Sequence, residues 1–415
     1  MLEIMMGVLI LVVMNNWMLM MNSLIFYLIF LLLKIYDEGE YLVKLMMIIL
    51  SVWLTIMMLM SIKSNMKKFD LYIVFIFMLF SLLLVFYCES MLMFYLGFEM
   101  SVIPILLIIF GWGYQPDRLE AGMYMILYTV FFSLPLLIGI FYMTYNYMMK
   151  TFLFYFMFMM AFLVKFPMFG LHLWLPRAHV EAPVFGSMIL AGVMLKLGGY
   201  GIVKISFVMG DLVYFNSYYI IILSVLGGLI LSGICFTQSD MKMLVAYSSI
   251  VHMSVVLSGL LTLRETGING GIYLMIGHGL CSSGLFCILG MTYDRTLSRS
   301  LYLNKGIMML MPSCSLWWFL FCSSNLSFPP CLNLPGEILL FISILSWSNS
   351  IFIIMGVLGL LSAMYSIYLF SFSQQGMCLN YYNFCSFKIK ELLMMFLHWV
   401  PLNLLILDLS LMTFY

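Results

Sequence analysis

Long apolar runs, separated by short polar stretches, repeat along the chain from its first residues to its last. Most runs hold about 20 residues, the length that an α-helix needs to cross the hydrocarbon core of a bilayer. The pattern therefore predicts an all-α polytopic membrane protein with about fourteen transmembrane helices and short loops. The predicted spans are residues 2–14, 17–35, 42–62, 69–88, 91–111, 121–145, 152–170, 183–208, 218–237, 241–263, 267–292, 306–349, 351–371 and 392–412.

Two of these spans, the seventh and the twelfth, are predicted to be discontinuous helices. Pro167 and Gly170 interrupt the seventh span, and the twelfth is too long for one helix. Non-helical backbone at membrane depth is tolerated only where it is buried in protein or lines a hydrated cavity. We place the break of the twelfth span around Pro329, Pro330, Pro335 and Gly336.

The two interruptions lie five spans apart, and each has a charged residue beside it, as in transporters built from repeated halves. Because the offset is odd, repeats of this kind would be inverted. The predicted organisation is a single transmembrane domain that consists of N-terminal helices (1–68), a first repeat (69–208), a second repeat (218–371) and a C-terminal helix (392–412).

Composition excludes most classes of soluble protein. Only 8% of the 415 residues are charged and 65% are hydrophobic, whereas soluble domains carry about 25% charged residues. A globule of this composition could not cover its surface in water, which excludes a cytosolic enzyme, a nucleic-acid-binding protein and a disordered chain. Met occurs 43 times and Ala only 7 times, a bias that indicates an AT-rich coding sequence of the animal mitochondrial type.

Net charge and cysteine content predict no further ligand. The formal net charge of +1 predicts no polyanionic partner such as nucleic acid. The nine cysteines are scattered without a C-x-x-C pair, so they predict neither disulfides nor a zinc or iron–sulfur site. His172, His179 and Glu181 lack the usual spacing of metal ligands on a helix face, and Pro176 and Pro183 place them in a predicted interfacial loop.

Apart from Lys165 and Lys196, the lysine and arginine residues lie in loops or within four residues of a span end, and they are distributed unevenly between the two faces of the membrane. When each residue is assigned to its adjoining loop and each loop is numbered by the span that it follows, odd-numbered loops hold eleven and even-numbered loops hold five. Basic residues concentrate on the negatively charged side of a membrane. The odd loops are therefore predicted to face that side, the matrix in a mitochondrion, and both termini to face the intermembrane side.

Ionisable side chains also fall inside predicted spans, where an ionised group costs about 2.5–3.5 kcal/mol on insertion scales. Ser248 precedes His252 by four residues and Ser282 follows His278 by four, which predicts polar neighbours for both histidines. Ionisable residues inside spans favour the transport of protons or ions. Two alternatives are that the charges form ion pairs that lock helices together, and that the histidines only form interior hydrogen bonds. The six residues are Glu99, Lys165, Lys196, His252, His278 and Glu337.

Prolines are expected to leave backbone acceptors near two of these charges. Pro167 cannot donate to the carbonyl of Leu163, which predicts a free acceptor within a turn of Lys165. In the twelfth span, Pro335 is expected to free the carbonyl of Cys331 in the same way, close to the buried acid.

Several distinctive motifs follow one another in a fixed order. They are AFLVKFPMFGLHLWLPRAHVEAPVFGSMILAGVMLKLGGYG (161–201), QSDMKMLVAYSSIVHM (238–253), HGLCSSGLFC (278–287), YDRTLSRS (293–300) and NLPGEI (333–338). This series resembles the antiporter-like membrane subunits of respiratory complex I. GWGYQPDRLEAG (111–122) and LHWVPLNLLIL (397–407) are most similar to arthropod members, whereas residues 1–88 match only as spans.

The resemblance implies fourteen transmembrane helices, inverted five-helix repeats with broken helices 7 and 12, and one proton route. Arg177 stands where many members have Lys, a change that preserves the charge. The residues implied for the route are the helix-5 glutamate Glu99, the broken-helix lysine Lys165, the helix-8 lysine Lys196, the polar chain of Lys242, His252 and His278, and the terminal acid Glu337.

The resemblance also implies a function, partners and a location. The chain would translocate protons across the mitochondrial inner membrane while other subunits carry electrons from NADH to ubiquinone. It would bind no cofactor itself, because NADH, FMN, iron–sulfur clusters and ubiquinone would belong to those other subunits. Its partners would be the neighbouring antiporter-like chains, small accessory subunits and inner-membrane lipids such as cardiolipin. A free-standing Na⁺/H⁺ antiporter of the related family, or a purely structural role for the charges, are the alternatives.

Overall fold

The computed structural model describes residue 7 and residues 16–35, 42–63, 66–145, 152–377 and 386–413. Within these residues the chain is helical, and an isolated bridge between Asp240 and Ser300 is the sole strand-like pairing. Eleven of the described helices are long and apolar enough to cross a membrane. The predicted all-α polytopic fold is confirmed.

The helices are numbered in chain order. Their bounds are α1 Trp17–Lys34, α2 Leu42–Ser61, α3 Phe69–Tyr87, α4 Met91–Met100, α5 Val102–Trp112, α6 Arg118–Tyr145, α7 Phe152–Lys165, α8 Trp174–Glu181, α9 Val184–Ile189, α10 Leu195–Val208, α11 Gly210–Asn216, α12 Tyr218–Cys235, α13 Met241–Leu261, α14 Glu265–Thr296, α15 Ile307–Leu310, α16 Pro312–Asn325, α17 Asn333–Trp347, α18 Phe352–Gln374 and α19 Ile389–Leu404. A π-helical turn, Leu190–Met194, joins α9 to α10. The predicted span at 2–14 lies, apart from residue 7, outside the described residues, so the count of fourteen stays a prediction.

The centre of the molecule is α14, whose apolar side chains are buried on all sides. It packs against α9, α13, α16, α17 and α19. Small residues let these backbones approach each other closely, which is how membrane helices associate. A Cβ added at Gly336 of α17, for example, would lie 2.9 Å from the backbone nitrogen of Leu274 in α14.

The outer helices direct large apolar side chains away from the protein. Phe26 on α1 is 72% exposed, Leu127 on α6 is 60% exposed and Leu360 on α18 is 67% exposed. A continuous surface of this kind is costly in water but matches the hydrocarbon tails of a bilayer. The distribution therefore agrees with a protein surrounded by lipid.

Ion pairs at the ends of the described helices join loops of the same parity. Lys44 and Glu89 connect two even-numbered loops at 3.6 Å. Such pairing agrees with loops that alternate between two faces, as the span prediction demands, whereas the compartment that each face meets stays a prediction. The pairs on odd-numbered loops are Lys63–Asp294 (2.8 Å), Arg177–Glu120 (2.6 Å), Arg295–Glu391 (2.6 Å) and Arg299–Glu181 (3.7 Å).

The seventh span is interrupted at Pro167 and Gly170, as predicted. The first half, α7, ends at Lys165 and the second half, α8, covers Trp174–Glu181, so the predicted end of this span at residue 170 was wrong. Pro167 has no N–H to continue the helix, and Gly170 adopts φ +92°, which favours glycine.

The break in the twelfth span covers residues 326–332 and contains Pro329 and Pro330. Pro335 and Gly336, however, lie inside the first turns of α17. A helix accepts proline near its N-terminus because the first N–H groups have no intrahelical acceptor. The expectation that these two residues belong to the break was wrong.

Two further irregularities were not predicted. Ser101 separates α4 from α5, where Pro104 cannot donate to the preceding turn. The π-helical turn Leu190–Met194 immediately precedes α10. These features lie beside Glu99 and Lys196, so each of the four charges inside the predicted spans is within about two turns of irregular helix.

Candidate functional site

Lys165 is the last residue of α7, and its side chain is buried. Its ammonium group donates to the backbone carbonyl of Phe98 and lies 3.5 Å from the hydroxyl oxygen of Ser101. Both partners flank the interruption between α4 and α5. A cation at the C-terminal end of a helix is also stabilised by the helix dipole. Lys165 is therefore held by a helix end that belongs to another span.

The backbone acceptors predicted from the prolines are occupied. The carbonyl of Leu163 accepts from the N–H of Met168 at 3.1 Å, and the carbonyl of Cys331 accepts from the N–H of Leu334 at 3.1 Å. Proline removes only the N–H group four residues after each carbonyl, and at a helix end the N–H group of a neighbouring residue can donate in its place. The prediction was wrong for both carbonyls.

Glu99 lies one residue before the end of α4 and is half-buried. The charge of Lys165 acts on its carboxyl group, and the hydroxyl group of Ser133 on α6 faces it. Within the described residues, the Oε1 atom of Glu99 has no hydrogen-bond partner. The structure thus brings Glu99 and Lys165 together and leaves one carboxylate oxygen available to a water or a moving proton.

Lys196 begins the second group of contacts. It is fully buried and follows the π-helical turn by two residues. Its Nζ atom lies 2.5 Å from the carbonyl oxygen of Ala191, within that turn, and 3.1 Å from Nδ1 of His278 on α14. When Lys196 is protonated, it donates to Nδ1, so the neutral His278 ring carries its proton on the other nitrogen.

A small cavity lies between Lys165 and the π-helical turn before Lys196. It measures about 10 Å³, and Lys165, Thr129, Leu190 and Met194 contribute to its lining. That is the room of about one water molecule. The cavity reaches the turn that precedes Lys196, but Lys196 itself does not line it.

His252 lies between His278 and the acid Glu337. Its Nδ1 atom lies 3.2 Å from Oε1 of Glu337, and its Nε2 atom lies 3.0 Å from the hydroxyl oxygen of Tyr365. The rings of His252 and His278 are 5.5 Å apart between centroids, at an interplanar angle of 45°. With Glu337 ionised, the neutral ring donates from Nδ1 and accepts from Tyr365 at Nε2.

Space for water is present at this end as well. A cavity of about 10 Å³ is lined by His252, Glu337, Ser362 and apolar side chains of α13, α14, α17 and α18. Glu337 itself is 22% exposed. We call the contacts Lys196–His278–His252–Glu337 the buried row.

The serines near the histidines do not bind the rings. Ser248 donates to the carbonyl of Val245 at 2.8 Å, and Ser282 donates to the carbonyl of His278 at 2.6 Å. Spacing along one helix face was therefore a poor guide to their partners, because serine in a helix readily bonds to the preceding turn.

The polar neighbours that the sequence analysis missed come from distant spans. They include Tyr365, which is fully buried against His252. One signal could have indicated it: Ser362, Tyr365 and Ser366 form a polar stripe at helical spacing on the otherwise apolar α18. Ser101 and Ser133 carry no comparable signal.

Lys242 is buried but lies away from the buried row. It is the second residue of α13, and its ammonium group donates to the carbonyl of Ala182 at 3.0 Å. Arg299 and Glu181 act on the same charge. Ten residues of helix separate Lys242 from His252, about 15 Å. The structure does not bring these two residues into contact.

His179 and Glu181 lie in helix α8 and are buried, not exposed in an interfacial loop. The ring of His179 stacks on Phe286 with centroids 4.6 Å apart. Pro176 is accommodated in the first turns of α8, so the two prolines mark helix starts and not a surface loop. That prediction was wrong, whereas His172 does lie in the segment between the half-helices.

Comparison with known proteins places this arrangement in a family. Residues 88–362 match the transmembrane domain described as NADH:quinone oxidoreductase/Mrp antiporter. The chain belongs to this family. The matched segment contains every residue of the buried row together with Glu99, Lys165 and Lys242.

Relatives with curated names are similar over most of their length. NADH-ubiquinone oxidoreductase chain 4 of Ceratitis capitata is 48% identical over 87% of this chain and 84% of its own. The protein of the same name from Aedes aegypti is 53% identical over 75% of this chain and 73% of its own. Both organisms are insects, so the expected similarity to arthropod members is confirmed.

Solved structures have the same fold at low sequence identity. A chain of respiratory complex I from Thermus thermophilus with bound NADH has a TM-score of 0.87 at 20% identity, with 97% of this chain and 94% of that chain covered. A chain of an Mrp complex from a Dietzia species has a TM-score of 0.77 at 17% identity, with 89% of this chain but 44% of that chain covered.

Proposed function

We propose that this chain is the proton-translocating, antiporter-like membrane subunit of a NADH:ubiquinone oxidoreductase, respiratory complex I. Relatives at 48% and 53% identity carry the name of chain 4 of that enzyme. The observation that carries the proposal is the buried row, in which ionisable groups follow one another through membrane-spanning helices. Such residues are costly in a bilayer and mark transport routes.

The chain contributes to the enzyme reaction through protons and not through electrons. NADH, FMN, the iron–sulfur clusters and ubiquinone belong to other subunits of the complex in this proposal. Electron transfer in those subunits supplies the free energy, and this chain uses that free energy to move protons across the membrane. Each elementary charge moved against the membrane potential costs about 2.3 kcal/mol per 100 mV.

The route begins at Glu99 and Lys165. Lys165 releases its proton through the cavity toward Lys196. Glu99 controls how strongly Lys165 holds its proton, because an opposite charge nearby stabilises the ammonium form. The route is supported by the electrostatic interaction between the two side chains and by the water-sized cavity that Lys165 lines.

The second part of the route passes through the two imidazoles. Lys196 delivers a proton to Nδ1 of His278, whose other nitrogen releases one toward His252 through a bridging water or a small ring rotation. A proton that arrives at Nε2 of His252, beside Tyr365, frees the Nδ1 proton for Glu337. Each imidazole thus accepts on one nitrogen and donates from the other.

Lys242 serves the odd-loop end of the route in this proposal. It lies with Glu181 and Arg299 at the end of α13, on the face where most basic residues of the loops are found. Because Lys242 is buried, this position suits a step between the odd-loop face and the interior better than a step between the two histidines.

We further propose a cellular setting for the chain. The chain is a multi-pass protein of the mitochondrial inner membrane, is mitochondrially encoded, and has both termini toward the intermembrane space. Its partners are the neighbouring antiporter-like chains, small accessory subunits and lipids such as cardiolipin. Residues 69–208 and 218–371 form inverted repeats, since each contains one broken helix with a functional charge beside the break.

A free-standing Na⁺/H⁺ antiporter is the second candidate, because an Mrp complex contains the same fold. Copurification separates the two. A complex I subunit should migrate with NADH dehydrogenase activity in a particle of roughly a megadalton on native gels, and the purified single chain should oxidise no NADH. Migration as an isolated chain that exchanges Na⁺ for H⁺ in vesicles would overturn the proposal.

A further inference from the structure

A large pocket with several charged side chains lies at one end of the helix bundle, beyond the buried row toward the C-terminal end of α14. Its volume is about 680 Å³, and it opens between the C-terminal ends of α2 and α14 and the N-terminal end of α19. Two carboxylates and five basic side chains line it, a formal net charge of +3. The basic side chains are Lys63, Lys67, Arg295, Lys388 and Lys390.

Both carboxylates of the pocket are engaged by the protein itself. Asp294 pairs with Lys63 at 2.8 Å. Glu391 pairs with Arg295 at 2.6 Å and also accepts from the backbone N–H of Lys388 at 2.9 Å. In the part of the chain that the structure describes, no carboxylate forms an ion pair with the side chains of Lys67, Lys388 and Lys390.

Lys390 is surrounded by charges of both signs. It donates to the carbonyl oxygen of Ile62 at 3.2 Å, which holds its ammonium group at the pocket. Lys67 and Lys388 repel its charge, whereas Glu391 attracts it. A concave site with several uncompensated charges of one sign attracts counter-ions of the opposite sign. We propose that this pocket binds the phosphate group of an anionic phospholipid.

The position of the pocket favours a lipid over phosphate from solution. Three membrane-spanning helices begin or end around it, which places it at the depth of lipid headgroups. On the side of α19 turned away from the pocket, Ile389, Leu393 and Phe396 are 87%, 47% and 50% exposed and form an apolar stripe that starts at the same end of the helix. This stripe is suited to an acyl chain, whereas a free phosphate ion or an acidic peptide would leave it uncovered.

The rest of the lining supplies a neutral donor for a phosphate oxygen. Tyr114 lies in the loop after α5, and burial raises the pKa of its phenol to about 12. Its hydroxyl group therefore stays protonated at neutral pH. The pocket adjoins the proposed proton route, since the Lys242 ammonium group lies 5.2 Å from the centre of the Tyr114 ring. The test below measures lipid binding and not pumping, so the two proposals can fail separately.

Photolabelling of the purified intact complex tests the proposal. The probes are phosphatidylglycerol and phosphatidylcholine with the same diazirine-bearing acyl chain, and labelled peptides are located by mass spectrometry. We expect phosphatidylglycerol to label residues 386–404 and phosphatidylcholine to label them several-fold less. Equal labelling by the two lipids would overturn the proposal without requiring any variant.

Charge variants refine the assignment. One lysine near a membrane surface contributes about 1 kcal/mol to binding an anionic lipid, so each of Lys67→Gln, Lys388→Gln and Lys390→Gln should lower phosphatidylglycerol labelling about five-fold. Lys305→Gln is the matched control, because Lys305 lies on the same face outside the pocket, near Tyr302 and Phe372. Unchanged labelling in the three pocket variants would contradict the proposal.

Competition identifies the source of the phosphate group. Inorganic phosphate at tens of millimolar should leave most phosphatidylglycerol labelling intact, because it cannot use the apolar stripe. Full displacement by inorganic phosphate would overturn the lipid proposal and show that the pocket binds an anion from solution. A crosslink from Lys388 or Lys390 to an acidic segment of another subunit, with no lipid labelling, would replace it with a protein partner.

Discussion

At the end of α7, Lys165 donates to Phe98 and lies close to Ser101. A fixed cation at this position could be replaced by arginine, whereas a proton carrier could not, since less than about 10⁻⁵ of a guanidinium is deprotonated at pH 7. We expect Lys165→Arg and Lys165→Ala both to assemble and both to lose coupled pumping. The alanine variant should also be less stable, by about 1–3 kcal/mol, because it removes a hydrogen bond from a charged donor. The Phe98 carbonyl would keep the Ser101 hydroxyl group as its donor, at 2.7 Å.

The measurement for Lys165 is proton uptake per NADH oxidised in reconstituted vesicles, with assembly checked on native gels. Lys204→Arg is the control: Lys204 is a half-buried lysine that donates to the carbonyl of Cys88 but lies outside the buried row. It should pump normally. Full pumping by the assembled Lys165→Arg complex would end the claim that Lys165 titrates.

Glu337 accepts from His252 at the far end of the buried row. Glu337→Gln keeps the shape of the side chain and an oxygen that can accept from Nδ1, but it cannot take up a proton. We therefore expect the variant to assemble near the wild-type level, with proton pumping reduced at least about 100-fold, the lower end of the range for loss of a proton-transfer group. Pumping and assembly are measured as for Lys165.

The control for Glu337 is an acid whose ion pair is exposed. Glu120 pairs with Arg177 at 2.6 Å on the surface, where such a pair contributes about 0–1 kcal/mol. Glu120→Gln should therefore leave both assembly and pumping unchanged. Pumping per NADH that remains normal in Glu337→Gln would remove Glu337 from the proton route.

At the scale of helices, close packing positions Lys165. A Cβ added at Gly198 of α10 would lie 2.7 Å from the backbone nitrogen of Phe166 and 3.1 Å from the carbonyl oxygen of Phe162. Backbone atoms cannot move aside cheaply, so Gly198→Ala should separate α10 from α7. Overpacking of this kind costs about 1–3 kcal/mol, which we expect as earlier thermal inactivation of NADH-driven pumping.

A glycine with free space around it provides the comparison. Nothing lies within 4 Å of a Cβ built at Gly233, which is on the exposed surface of α12. Gly233→Ala should be neutral or slightly stabilising, because alanine is the better helix former by about 1 kcal/mol. Equal inactivation temperatures for the two variants would show that contact between α7 and α10 is not tight.

The same scale separates the helix interruptions that are predictable from those that are not. The breaks near Pro167 and near Pro329 follow from the missing N–H of proline. The π-helical turn Leu190–Met194 contains no proline, and no local residue signals it. It inserts one residue into the helix before Lys196, and the sequence offers no reason to expect that register change.

At the scale of the whole molecule, loop charge predicts orientation. The ion pairs already separate odd from even loops, so a label on one loop of each kind decides the topology. Lys68→Cys and Arg264→Cys are both at exposed positions, on an odd and an even loop respectively. In sealed inside-out inner-membrane vesicles, an impermeant maleimide should label Lys68→Cys and leave Arg264→Cys unlabelled.

Right-side-out vesicles should give the opposite labelling. The wild-type chain is the background control, and its seven described cysteines are buried and should not react. Labelling of Arg264→Cys alone in the inside-out preparation would reverse the predicted orientation and move both termini to the matrix side.

The sequence alone was sufficient to predict the membrane-spanning fold, because a bilayer restricts the solutions so strongly. Only helices satisfy backbone groups in hydrocarbon, and each needs about 20 apolar residues, so local runs locate the spans. The same restriction makes Glu99, Lys165 and Glu337 conspicuous: an isolated charge in such a run is costly and requires a reason. Both depend on residues that are adjacent in the chain.

Only the tertiary structure decided which of these groups meet. Most spans are apolar around their whole circumference, so no amphipathic stripe reveals how far each helix is rotated about its axis. That rotation places Tyr365 against His252 and directs Lys165 to the Phe98 carbonyl instead of the predicted one at Leu163. It is set by close contacts between helices distant in the chain, and glycine positions such as Gly198 determine how closely their backbones approach.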